Sequence, residues 1–193
     1  MIGANHSPGG SVARADDPTT PALVIGPTHR AVDLIAVHKP SHVVACFSPG
    51  QEPPADPGAA VDRLELCFHD LAEVRDGFVA PGTDLVGTLL DFARTWTGTR
   101  PLLIHCWAGV SRSSAAAYIV ACDRNPGCER AIAAELRQRA PFATPNPLMV
   151  RLADGMLTRR GRMIAAIAAI GRGAEATWGE PFCLPAGDYG SPL

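Results

Sequence analysis

One stretch of this chain concentrates side chains able to do chemistry: residues 105–113, HCWAGVSRS. An apolar run, PLLI at 101–104, feeds into His105 and Cys106, Gly109 sits mid-stretch, and Arg112 and Ser113 open an alanine-rich segment. Where a strand ends in a glycine-containing turn that starts a helix, successive backbone N–H groups can point inward as an anion-binding nest, and the helix start adds its positive end. Trp107, Ala108, Gly109, Val110 and Ser111 would supply those amides, and Arg112 adds a planar fork that matches two oxygens of an oxyanion. The same field favours thiolate over thiol, as for cysteines at helix N-termini beside arginine. The order of residues therefore predicts Cys106 as a nucleophile aimed at the centre of a tetrahedral oxyanion. Taken singly, a cysteine after an apolar run is a buried thiol and an arginine at a helix start a solvated cation. Strand, cysteine, glycine turn, arginine and helix in that order weigh against so plain a reading.

The elements that must hold this loop alternate along the chain. ALVI (22–25), HVVACF (42–47), LELCF (64–68) and PLLI (101–104) read as apolar strands, the second continuous enough to be covered on both faces. Helices are expected over 28–38 with Thr28 as cap, and from Thr83 with Val86, Leu89, Leu90, Ala93 and Trp96 on the apolar face. Others are expected over 113–123 and 129–139, and as one or two helices over 148–170. The stretch 48–60 holds four prolines and reads as a surface loop. Strands alternating with helices imply an α/β fold: a mainly parallel central sheet flanked by helices on both faces. Ligands of such sheets bind beyond the carboxyl ends of the strands, where Asp70 and Cys106 both fall.

At 193 residues the chain fits one domain, expected over 22–170, with a flexible leader at 1–21 and an irregular tail at 171–193. Hydrophobic residues at 47% are enough for one core, and a formal net charge of −2 gives no reason to expect a nucleic-acid partner. The longest nearly uncharged stretch, 163–170, is far short of the ~20 residues a membrane helix needs, so no membrane partner is expected. The leader lacks the apolar middle of a secretory signal. The six cysteines form no CxxC pair or regular framework, which fits a reduced, cytoplasmic protein. No His/Cys/Asp cluster has metal-ligand spacing, so neither metal nor other cofactor is expected.

HCWAGVSRS resembles the HC(x)5R(S/T) signature of the cysteine-dependent protein tyrosine phosphatase superfamily, and the form HCxxGxSRS is most similar to its dual-specificity-like branch and to small bacterial-type tyrosine phosphatases. The order of elements over about residues 22–158 also looks like that branch. The resemblance implies a protein tyrosine phosphatase-like fold and hydrolysis of a phosphate monoester through a phosphocysteine on Cys106. Arg112 and the loop amides would stabilise the phosphoryl oxygens. Ser113 matches the hydroxyl that steadies the departing thiolate, and His105 matches a histidine that supports the loop without transferring protons. The family also needs an acid after the preceding strand. Asp70, 36 residues before Cys106 and directly after LELCF-His69, fits; Asp76 in the same loop and Asp84 compete, although Asp84 also suits the first turn of its helix. In Thr144-Pro145-Asn146-Pro147, Asn146 matches a family residue that holds the loop, and equally reads as an ordinary helix start.

Two departures narrow the resemblance. There is no Trp-Pro-Asp acid loop, and Trp107, Ala108, Val110 and Ser111 bring no Lys or Arg, which demotes polyphosphorylated inositol lipids as substrates. The implied partner is a phosphorylated protein, phosphotyrosine favoured. Residues 130–172 hold eight arginines against Glu135 and Asp154, a candidate polyanion surface that equally reads as a solvated helix face. Trp107 could stack on an aromatic leaving group or simply pack the loop rim. Two other classes remain open: a rhodanese-like sulfurtransferase, whose loop also sets a Cys before an Arg, and a non-catalytic phosphate-binding module.

Overall fold

The computed structural model describes residues 21–52, 58, 60–187 and 189. The leader expected at 1–21, apart from its last residue, and the proline-rich stretch 53–57 lie outside the described residues.

Five strands make one sheet in the order β3-β2-β4-β1-β5: β1 (Ala22–Pro27), β2 (His42–Phe47), β3 (Asp62–Cys67), β4 (Leu102–Cys106) and β5 (Phe182–Pro185). The first four run parallel, and β5 pairs antiparallel with β1. The helices are α1 (Ala31–His38), α2 (Thr83–Thr95), α3 (Arg112–Arg124), α4 (Glu129–Arg139), α5 (Pro147–Met156) and α6 (Arg162–Ile170). Among the described residues, no helix is long and apolar enough to cross a membrane.

Side chains alternate between the faces of a strand. Val24, Val43 and Leu103 meet Leu34 of α1 on one face, while Leu23, Ile25, Val44, Leu102 and Ile104 join the main core under the other helices. Cys106 continues the second series and His105 the first, so the two neighbouring side chains project to opposite faces. The central helix α3 touches β4, β1, α2, α4 and α5. From Arg112 to Cys122 every residue is buried, and the run Ala115-Ala116-Ala117 keeps the helix narrow enough to be surrounded. The expected apolar face of α2 is buried throughout, Val86 to Trp96.

Several boundaries differ from the sequence expectations. Thr28 does not cap a helix; it opens a short 3-10 turn (Thr28–Arg30), and its hydroxyl is spent on His105 Nδ1 at 3.2 Å. Thr83 is the first residue of α2, after an extended Gly82, and not its cap. The segment 148–170 is two helices, because the chain turns left-handed at Thr158, Arg160 and Gly161. Asp154 fixes that break by accepting hydrogen bonds from Gly161 N (2.7 Å) and Met163 N (2.9 Å), satisfying amides at the start of α6. The tail expected to be irregular from 171 onward contains β5. Its pairing is long-range, with Phe182 opposite Ile25 and Leu184 opposite Leu23, so a four-residue run flanked by glycine and proline carried no local sign of it.

Candidate active site

β4 runs through His105 and ends at Cys106, which is only 2% exposed, and α3 begins at Arg112. The five residues between them turn back through Gly109, whose φ of +72° is left-handed. A Cβ there would lie 2.7 Å from Pro27 N and 2.8 Å from the Gly26 carbonyl carbon, so the loop lies against the backbone of β1 and needs glycine.

Four amides from three separate parts of the chain set the direction of the loop peptides. Trp107 O accepts from Thr28 N (3.4 Å), Ala108 O from Gly179 N (2.8 Å), Val110 O from Thr144 N (3.1 Å) and Ser111 O from Asn146 N (3.3 Å). In a planar trans peptide the N–H points opposite to its C=O. Carbonyls pulled outward at these positions turn the amides of Ala108, Gly109, Ser111 and Arg112 toward the loop interior, the arrangement an anion nest requires.

Arg112, 5% exposed, reaches back over the ends of the neighbouring strands. Its Nη1 donates to Phe68 O (2.8 Å) and Ser48 Oγ (3.0 Å), and the guanidinium lies 5.7 Å from the Phe68 ring centroid. Its Nε is buried and has no hydrogen-bond partner. A buried donor left unsatisfied costs about 1–3 kcal/mol, more when charged. An oxyanion seated in the loop would satisfy it. Ser113 Oγ lies 3.2 Å from Cys106 Sγ, within hydrogen-bonding reach.

Of the three carboxylates considered from sequence, Asp70 is the one tied to the loop: its Oδ1 accepts from Ser111 Oγ (2.8 Å) and Asn146 Nδ2 (2.7 Å). Asp76 lies in the exposed turn closed by Phe78 N to Arg75 O, and Asp84 in the first turn of α2. Asn146 Oδ1 accepts from Met149 N (2.9 Å), capping α5 ahead of Pro147, Nδ2 also donates to Leu71 O (3.0 Å), and the backbone N donates to Ser111 O, so the residue touches both the Asp70 loop and the Cys106 loop. Beside these residues a cavity of about 650 Å³ opens, bounded by Asp70, Ser111, Asn146, Arg172 and Thr177.

No protein-family model matches this sequence, and no curated protein matches it. Solved structures do. DUSP15 superposes with a TM-score of 0.56 at 19% identity, over 78% of this chain and 90% of that one. PTPMT1, also solved in complex with PI(5)P, gives 0.53 at 18% identity over 76% and 94%. The human tyrosine phosphatase-like serine/threonine/tyrosine-interacting protein gives 0.55 at 19% identity over 72% and 92%. The chain has the fold of the dual-specificity-like cysteine phosphatases.

Within this phosphatase-like fold His105 is buried at the end of β4. Its Nδ1 meets Thr28 Oγ1, which ties the end of β4 to the turn after β1. Burial, with a smaller push from Arg63, pulls its pKa down to about 4, so the ring is neutral at pH 7. An unfolded chain takes up this proton near pH 6.5 and the folded chain near 4, so the contribution to stability is complete above pH 6.5 and is lost as pH falls toward 4. Between pH 7 and pH 4 the unfolding free energy of the native protein should fall by about 3 kcal/mol more than that of His105→Asn. Urea titrations at the two pH values measure this, and equal losses in both proteins would rule it out.

Cys46 stands opposite Cys106 in the register of β2 and β4. Burial, and then the neighbouring Cys106, push its thiol well up, so Cys46 stays protonated beside the nucleophile position. Sequence reading did not reach Thr28, Ser48, Phe68, Thr144 or Gly179. Ser48 and Phe68 each follow directly on a strand, so the rule that sites gather at carboxyl ends would have found them. Thr144 and Gly179 act on the loop through backbone amides, which leave no residue-type signature, and Thr28 adds to its amide a hydroxyl that the sequence offers equally as a helix cap.

Proposed function

We propose that this chain is a cysteine-dependent phosphate monoester hydrolase acting on phosphorylated protein, phosphotyrosine foremost. The observation that carries the reading is the buried Arg112 Nε without a partner, beside a nearly inaccessible Cys106 and under loop carbonyls tied away from it. In the first step the Cys106 thiolate attacks phosphorus and the bond to the ester oxygen breaks. Asp70 gives that oxygen a proton through Oδ2, which no group among the described residues engages, and leaves as the carboxylate. Arg112 and the inward amides hold the phosphoryl oxygens as charge builds. In the second step water attacks phosphorus, Asp70 takes back a proton, and the S–P bond breaks with Ser113 donating to the departing sulfur. No step calls for a metal or another cofactor. A reducing, cytoplasmic setting suits six free cysteines, one of them a nucleophile.

Release of inorganic phosphate from a panel of phosphotyrosine and phosphoserine peptides, phosphoinositides and nucleotides tests the reading. Phosphate released from none of them would overturn it. Persulfide formation from thiosulfate would favour a sulfurtransferase instead, and phosphopeptide binding without turnover a non-catalytic module. Asp70→Asn should slow esters with poor leaving groups by about 10²–10⁴-fold and affect p-nitrophenyl phosphate far less, because nitrophenolate departs without a proton. If Asp76→Asn gave that pattern and Asp70→Asn did not, the acid would be Asp76.

A further inference from the structure

Arg137, in the last turn of α4, spends its guanidinium on main-chain carbonyls. Nη1 donates to Pro141 O (2.6 Å), Ala143 O (3.0 Å) and Ala140 O (3.4 Å), and Nη2 donates to Gly171 O (2.8 Å). Burial pulls its pKa down, and no carboxylate offsets this. An arginine near a helix end commonly bonds the last carbonyls of its own helix. Here every acceptor except the C-cap Ala140 lies beyond α4, and Gly171 is 34 positions away.

These carbonyls belong to two segments, one before α5 and one after α6, and both run on into backbone that holds the Cys106 loop. Thr144 N and Asn146 N follow in the first and bond Val110 O and Ser111 O; Gly179 N follows in the second and bonds Ala108 O. The segments are also tied to each other. Gly173 N donates to Thr144 Oγ1 (3.1 Å) and Ala174 N to Pro141 O (2.9 Å), the same oxygen that Arg137 holds. A Cβ on Gly173 would collide with the Phe142 carbonyl, so the two backbones are in direct contact. Arg137 therefore fastens to α4 the pair of segments that supplies three of the four anchors of the loop.

We propose that Arg137 is a positioning residue for the hydrolysis: by fixing these segments it aims the amides of Gly109, Ser111 and Arg112 at the phosphoryl oxygens. The proposal rests on the hydrolase reading above. Arg137 makes no bond to the Cys106 loop among the described residues and acts through Thr144, Asn146 and Gly179. Its planar fork can hold carbonyls of both segments at once, which a single ammonium on a flexible stem cannot do. Small misplacements of groups that meet a reacting centre cost large factors in rate even when the cause is remote. Without the fork, the carbonyls of 140–143 and 171 lose their common donor, and the three amides lose their fixed direction.

Vanadate tests that aim, because its oxygens copy those of the phosphoryl group as sulfur adds to it. A smaller folded fraction lowers the amount of binding protein but leaves the Kd of the folded part unchanged. In Arg137→Ala the Kd for vanadate should rise at least ~10-fold, and kcat for p-nitrophenyl phosphate should fall by a similar factor. Arg139→Ala removes a second arginine from the same turn, one that pairs with Glu135, and should leave both values near native. Where Arg137→Ala does not fold, Arg137→Lys keeps the charge at the helix end and should still raise the vanadate Kd at least ~3-fold. Native-like vanadate binding in folded Arg137→Ala, or in Arg137→Lys where the alanine variant does not fold, would overturn the proposal. So would an equal loss in Arg139→Ala; either result leaves the hydrolase reading standing. No hydrolysis of any phosphate ester by the native protein would overturn both.

Discussion

Cys106→Ser is expected to lower turnover of p-nitrophenyl phosphate by on the order of 10⁴-fold or more while leaving oxyanion binding in place. A serine hydroxyl stays protonated at neutral pH in a loop that offers hydrogen-bond donors and no base. Any phospho-ester that did form would have to break with a poor leaving oxygen in place of sulfur. The groups that grip the oxyanion, Arg112 and the four inward amides, are untouched, and Ser113 at 3.2 Å has space to bond the new hydroxyl. Phosphate release measures the first expectation, and calorimetric binding of vanadate or phosphate the second. Activity close to that of the native protein would remove the covalent mechanism.

Arg112→Lys is the second large effect, expected at about 10²–10³-fold in kcat/KM although the charge is retained. Nη1 of the guanidinium holds Phe68 O and Ser48 Oγ at the strand ends, while the buried Nε has no partner and, in the hydrolase reading, is left for the oxyanion. A single ammonium on a flexible stem cannot span both. If it turns to the oxyanion, the Phe68 carbonyl loses its donor; if it stays, the loop loses its fork. Stability should fall by about 1–3 kcal/mol through the first of these, readable as a lower urea midpoint. Kinetics within threefold of native would mean that the fork is not used.

The motif was legible because its parts are adjacent in the chain: apolar strand, Cys106, Gly109, Arg112 and the alanine-rich helix report the loop and the face that Cys106 occupies. The alternation of strands and helices likewise gave the parallel part of the sheet. Misreadings came where a side chain had two possible partners and only the tertiary structure decided between them. Thr28 looks like a cap until its hydroxyl is seen on His105. Asn146 was open between helix start and loop support because an amide has two ends, and the fold uses both. β5 and the segment that joins it to α6 escaped because backbone pairing with distant segments leaves no periodicity. Asp70 was visible just beyond a strand end, but its bonds to Ser111 and Asn146 join residues 41 and 76 positions apart in sequence, beyond any local pattern.

The four outward carbonyls of the Cys106 loop have a consequence for the order in which the protein matures. Their donors come from Thr28, Thr144, Asn146 and Gly179, so only the first donor precedes the loop in the chain and the other three are synthesised after it. A nascent chain that has reached Cys106 thus lacks three of these four anchors until residues 144–179 have been added. The set of four is complete only once Gly179 has docked on Ala108 O.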